Sequence, residues 1–229
     1  MPDSSVATAA DYADAMLVAR RAKSALVLLL LLMLLVQLGL FFTARFSDIL
    51  FAPAPAAAEA TGSTLPALET PAVASTPVAP VSKWVDPLHY LLAGVTFLSL
   101  TLSIVLALVL YLITQIMLVG RLIGVARVTS AFIWCLVFIV LIFPWQAFLR
   151  DAAMTSREFM IPGVLYTWDE LLQFARFENG LNAGAILKWA RFAGFPILAV
   201  LILLAIQVKS NRGLRQALGE DDLSALARS

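Results

Sequence analysis

The sequence predicts an all-α integral membrane protein: four transmembrane helices, with one short amphipathic surface helix in the loop between spans three and four. Three observations carry this expectation. The chain of 229 residues is 61% hydrophobic and only 14% charged, roughly half the charge of a soluble domain. Its apolar residues are gathered into blocks long enough to cross a bilayer, which takes about 20 residues of helix. Inside those blocks (24–42, 88–119, 128–146 and 192–208), His89 at the rim of the second apart, stands no Asp, Glu, Lys, Arg or His.

Residues 1–23 form a polar, Ala-rich N-terminal segment that closes on Arg20, Arg21 and Lys23. The first span follows at 24–43. A secretory signal also has a basic start and an apolar core, but this run exceeds the usual core of about 7–15 residues. The sequence FTARFSD after it is a poor cleavage site. An uncleaved signal anchor is therefore expected. Residues 44–85 are rich in Ala, Pro, Thr and Ser without hydrophobic periodicity. Such a stretch buries too little apolar area to offset its ordering entropy, so it reads as a disordered outer spacer.

The second span, 86–119, opens on DPLHY. Asp86 suits a helix N-cap and Pro87 the first helical position, where a missing N–H costs nothing. Its apolar run from Leu88 makes about 32 residues, roughly 48 Å of helix against a hydrocarbon core of about 30 Å. The helix must tilt or project beyond the membrane at its outer end. A short basic connector, 120–127, carries Arg121 and Arg127, and the third span, 128–149, closes on IFPWQAF.

The segment 150–185 differs in kind. IPGV, at 161–164, fits a type II turn. TWDE, at 167–170, has capping-box spacing and announces an amphipathic helix over 168–178 that ends near Asn179-Gly180. Trp168, Leu171, Leu172 and Ala175 share one face of it, with Asp169, Gln173 and Arg176 opposite. In the fourth span, 186–208, Lys188 and Arg191 are placed to snorkel to headgroups, and Gly194 and Pro196 predict a kink. The tail, 209–229, begins with Lys209, Arg212 and Arg215. With four spans the N-terminal cluster, the connector and the tail fall on one side, which the positive-inside rule makes cytoplasmic. A bacterial inner membrane with both termini inside is the expected location.

Candidate chemistry is sparse. Without an ionisable group at depth there is no proton relay, coupling carboxylate or intramembrane protease centre. On the second span Thr96, Ser99, Ser103, Ala107 and Thr114 form a small-residue stripe, expected as a helix-packing seam, or more sharply as a solute path. Gln37 and Gln115 are expected to bond neighbouring helices. His89 pairs in spacing with Asp86, but one histidine cannot complete a metal or haem site, so no metal and no cofactor are expected. Cys135 reads as a small hydrophobe. A net charge of +1 offers no reason to bind nucleic acid.

The remaining candidate is the aromatic outer loop, with Phe159, Tyr166, Trp168, Leu171, Leu172, Phe174 and Phe177 as a surface for a partner or lipid. Pro144, Gly194 and Pro196 are the kinks that shape its seat. The expected function is a non-enzymatic accessory or scaffold subunit of a membrane complex, its partners being membrane lipids and a membrane protein or a second copy. The alternative is a small-solute transporter or channel component lined by the second span. An enzyme using Asp86, His89 and Glu158 ranks third.

Overall fold

The computed structural model describes residues 3–46, 85–145, 163–174 and 183–219. These form α1 (Asp3–Phe46), α2 (Val85–Val119), α3 (Val125–Ile142), α4 (Trp168–Phe174), α5 (Ala183–Trp189), a π-helical turn (Ala190–Gly194) and α6 (Phe195–Ala217), with no strand among the described residues. Four stretches are long and apolar enough to cross a membrane: Asp14–Phe46, Asp86–Val119, Val125–Ile142 and Gly184–Ala217. The last is α5, the π turn and α6 acting as one rod.

Each helix buries one narrow seam. On α1 the seam reads Met16, Ala19, Lys23, Val27, Leu30, Leu34, Gln37, Phe41 and Ala44. Steps of three and four residues are those of helices packed ridge into groove at roughly 20°. α3 repeats them with Val128, Ala131, Cys135, Phe138 and Ile142, and α6 with Pro196, Ala199, Leu203, Ile206 and Ser210. α1 packs on α2, α2 on α3, α3 on α6 and α6 on α1, which closes a ring. Met16, Met117, Val128 and Leu214 meet at one end, whereas Phe41, Leu92, Tyr166 and Phe192 meet at the other. The helices therefore alternate up and down. The first is called the tail end below, and the second the cap end.

Several boundaries differ from expectation for local reasons. α1 begins at Asp3, so the N-terminal segment is the helix's own first turns. α2 starts at Val85, which puts Asp86 in the first turn and not at the cap. α3 starts at Val125 and its regular run breaks after Ile142, because Pro144 disfavours helical geometry in the residue before it; the expected end at 149 lies outside the described residues. Phe143 accordingly sits at φ −59 and ψ 135. α6 runs on to Ala217, past the expected end at 208, since Ser210, Gly213 and Leu214 continue the buried seam. Most of the outer spacer lies outside the described residues.

Candidate functional site: a buried polar clamp at the cap end

The site starts with what proline does to the end of α3. Pro144 has no N–H, so the Val140 carbonyl four residues earlier loses its donor. The Trp145 indole Nε1 donates to it at 2.7 Å instead. The Trp145 backbone N–H turns to the Phe143 carbonyl at 2.9 Å, and the Leu141 carbonyl is taken by the Val164 N–H at 3.0 Å. A proline thus opens a docking point on the helix end, and the stretch 163–167 occupies it.

That stretch is extended, buried and surrounded by apolar helices, where each unpaired backbone group would cost several kcal/mol, on the order of 2–7. Its polar groups are met from three helices. Gln37 Nε2 on α1 donates to the Val164 carbonyl at 3.1 Å. The Arg191 guanidinium, in the π turn, donates to the carbonyls of Gly163 and Leu165. The Tyr166 hydroxyl donates to the Gln37 carbonyl at 2.5 Å. The Thr167 N–H donates to Glu170 Oε2 at 3.0 Å and the Glu170 N–H to Thr167 Oγ1 at 3.4 Å, the two halves of a capping box. Glu170 Oε2 also lies 3.6 Å from Arg191 Nη2. A buried cation and a buried carboxylate so share one segment of backbone between them. Burial pushes the Tyr166 phenol well above the ordinary tyrosine range, and the nearby Arg191 charge pulls it back only in part.

Arg191 is only 3% exposed, so the expected snorkelling does not occur. The physical reason is the π turn. Pro196 has no N–H for the Phe192 carbonyl, the helix widens by one residue, and the Phe195 N–H reaches back to Ala190. The extra residue turns Arg191, Phe192 and Ala193 inward in succession. Phe192 then stacks on Phe41 with centroids 5.1 Å apart and meets Tyr166 edge-on at 5.3 Å. Gly163 is where the two proline sites converge. A Cβ there would stand 2.9 Å from Arg191 Nη1 and 3.2 Å from the Phe143 carbonyl oxygen.

Comparison of the chain with known protein families, curated proteins and solved structures finds no match. The site is therefore read from its own geometry.

The aromatic face expected to point outward is largely turned inward. Tyr166, Trp168 and Leu171 are buried against Leu40, Phe41, Ala44, Leu92 and Phe192, with Leu172 packed at their edge. The face that would have been offered to a partner is the underside of a cap. Trp168 closes its rim by stacking on His89, ring centroids 5.6 Å apart, which gives the histidine a packing partner. Phe159, Phe177 and Glu158, the turn residues Ile161 and Pro162, the helix-end residues Asn179 and Gly180, and the side chain of Phe174 lie outside what the structure describes.

The stripe on α2 is divided in its bonding. Ser99 and Ser103 are fully buried and Ala107 nearly so. Ser103 donates to the Leu100 carbonyl at 2.7 Å and Thr114 to Leu110 at 2.8 Å. Thr96 Oγ1, Ser99 Oγ and Gln37 Oε1 are buried without a hydrogen-bond partner among the described residues. Gln37 bonds the cap segment and not a helix, and Gln115 is exposed. At the tail end Lys23 is buried and donates to Ser210 Oγ at 2.7 Å and Asn211 Oδ1 at 2.5 Å.

Sequence reasoning missed Arg191 and Gln37 as a pair. The available signal was weak: one amide inside a leucine run, and one arginine a turn before a proline.

Proposed function

We propose that this chain is a four-span integral membrane protein of the bacterial cytoplasmic membrane, with both termini cytoplasmic, acting as a non-enzymatic accessory or scaffold subunit. The cap end faces outward. The observation that carries this reading is the commitment of the clamp. The Arg191 guanidinium, Glu170 Oε2, the Tyr166 hydroxyl and the Gln37 amide nitrogen and main-chain carbonyl are spent on one stretch of backbone and on each other. Groups so engaged are positioned for rigidity, not for turnover. The clamp pins the middle of the outer loop to the bundle. A cap held in this way is preorganised for a protein partner, which lowers the ordering cost of association. The test is purification of the full chain in mild detergent beside an R191Q variant. A stoichiometric partner, retained by the parent chain and lost by the variant while helicity is unchanged, is expected. A partner-free parent chain overturns the proposal.

The second reading, a solute path along α2, is favoured by the unpartnered hydroxyls of Thr96 and Ser99 beside the seam. Ser99→Leu with Ser103→Leu abolishes flux of small polar solutes in reconstituted vesicles if that reading holds. Unchanged flux removes it.

A further inference from the structure

A second polar cluster lies at the tail end, on the outside of the α3–α6 seam, and the clamp makes no use of it. Here the two helices approach closely. A Cβ on Gly213 would stand 2.7 Å from Val128 Cγ2 and 3.3 Å from Arg127 Cβ. Arg127 therefore lies against the α6 backbone at Gly213, which is one helical turn, about 5.4 Å, along α6 from Lys209. Lys209 Nζ donates to Ser130 Oγ at 3.1 Å and lies 5.4 Å above the Trp134 ring. Arg127 and Arg212 are exposed, Lys209 is half-buried, and Trp134 is 40% exposed. α3 and α6 themselves contain no Asp or Glu; the nearest acidic residues in sequence are Glu220, Asp221 and Asp222, beyond the described residues.

The order along the seam is chemically specific. Two exposed guanidiniums come first, Arg127 in the first turn of α3 and Arg212 three residues beyond Lys209 on α6, then an ammonium and a hydroxyl. Trp134 follows, seven residues and about 10 Å deeper than Arg127. Beyond Trp134 the outer face of α3 continues with exposed Val137 and Val140. We propose that this groove binds the headgroup of an anionic phospholipid. The phosphodiester sits between Arg127, Lys209 and Arg212, and the upper acyl chain lies along Trp134. Arginine matches phosphate oxygens two at a time, and basic grooves between spans on the cytoplasmic side are suited to anionic headgroups. A soluble anion makes less use of the site, because the exposed side chains that follow on α3 (Trp134, Val137 and Val140) are apolar. This inference rests on the membrane-spanning reading above.

Trp134 reports on the proposal directly. The full chain is reconstituted in vesicles containing rising fractions of phosphatidylglycerol or phosphatidylcholine, each brominated on the acyl chains. The Trp134 contribution is the quenching lost in Trp134→Phe. Phosphatidylglycerol is expected to quench it at a several-fold lower fraction than phosphatidylcholine. R127Q and K209Q should each weaken that preference by about fivefold, as one fewer cation near an anionic surface implies, and Lys209→Arg should retain it. Equal quenching by the two lipids overturns the proposal, as does a preference that survives R127Q with K209Q. Relief of quenching by millimolar inorganic phosphate would mark a soluble-anion site and overturn it too. Absence of quenching by either lipid would instead remove the membrane-spanning reading itself.

Discussion

Arg191 does at the residue scale what no apolar side chain could. A backbone stretch that enters a helical bundle brings carbonyls that the helices cannot pair, and a guanidinium supplies several donors in one rigid plane. Its charge is balanced by Glu170 within the same cap. Removing one member of such a pair leaves a buried group uncompensated, which costs about 3–5 kcal/mol. Arg191→Leu is therefore expected to release the cap, whereas Arg191→Leu with Glu170→Leu recovers part of the loss. The check is thermal unfolding in detergent; equal Tm values for parent and single variant would contradict the clamp.

Tyr166 supplies an independent residue-scale reading. Its folded-state pKa lies above the unfolded value, because burial penalises the phenolate. Its contribution to stability is complete below the unfolded pKa of about 10 and declines as pH rises beyond it. A spectrophotometric titration should find Tyr166 resisting ionisation until the protein unfolds, seen as the difference between the parent chain and Tyr166→Phe. Equal titration curves for the two would contradict the burial of this phenol. Of these residues the capping box of Thr167 and Glu170 was legible, since both partners lie within one turn. Arg191 was misread as a snorkelling anchor, because nothing within a few residues of it reveals carbonyls that are 26 and 28 positions away.

The decisive element is α3, the shortest of the four helical stretches long and apolar enough to cross a membrane. Its end at Pro144 leaves two carbonyls to be met, one by the Trp145 indole and one by Val164. The cap segment thus stands where a longer α3 would have continued. The excess length of α2 finds its use in the same place, for Leu88 and Leu92 wall the cap beside Trp168 and Leu171. Pro144→Ala lets the helix run on and return Leu141 its own donor, which displaces Val164. Amide exchange at Val164 should then rise at least about tenfold, matching a loss near the 1.4 kcal/mol that one such bond can contribute. Unchanged protection would mean that proline is not what opens the docking point. The overlong second span and the break near Pro144 were both visible in the sequence. That the two serve one cap was not.

At the scale of the whole molecule, alternating helices bring the α1 start, the α2–α3 turn and the α6 end together. Cys135 is buried and is the sole cysteine of the chain, so single exposed cysteines can report orientation. Asp86→Cys is expected to react with a membrane-impermeant maleimide on intact cells, and Ile123→Cys only after permeabilisation. The reverse pattern would invert the topology. Composition and local patterning alone dictated four long apolar helices, their approximate limits and the capping box. Each of these follows from interactions between residues a few positions apart or from transfer between water and lipid. Only the tertiary arrangement decided that the aromatic loop turns its face inward, that Arg191 points into the bundle, and that Gln37 serves the loop. Those choices depend on which unpaired carbonyls and which donors meet across 26 to 129 residues of chain, and chain-distant pairing of that kind leaves no period in a sequence.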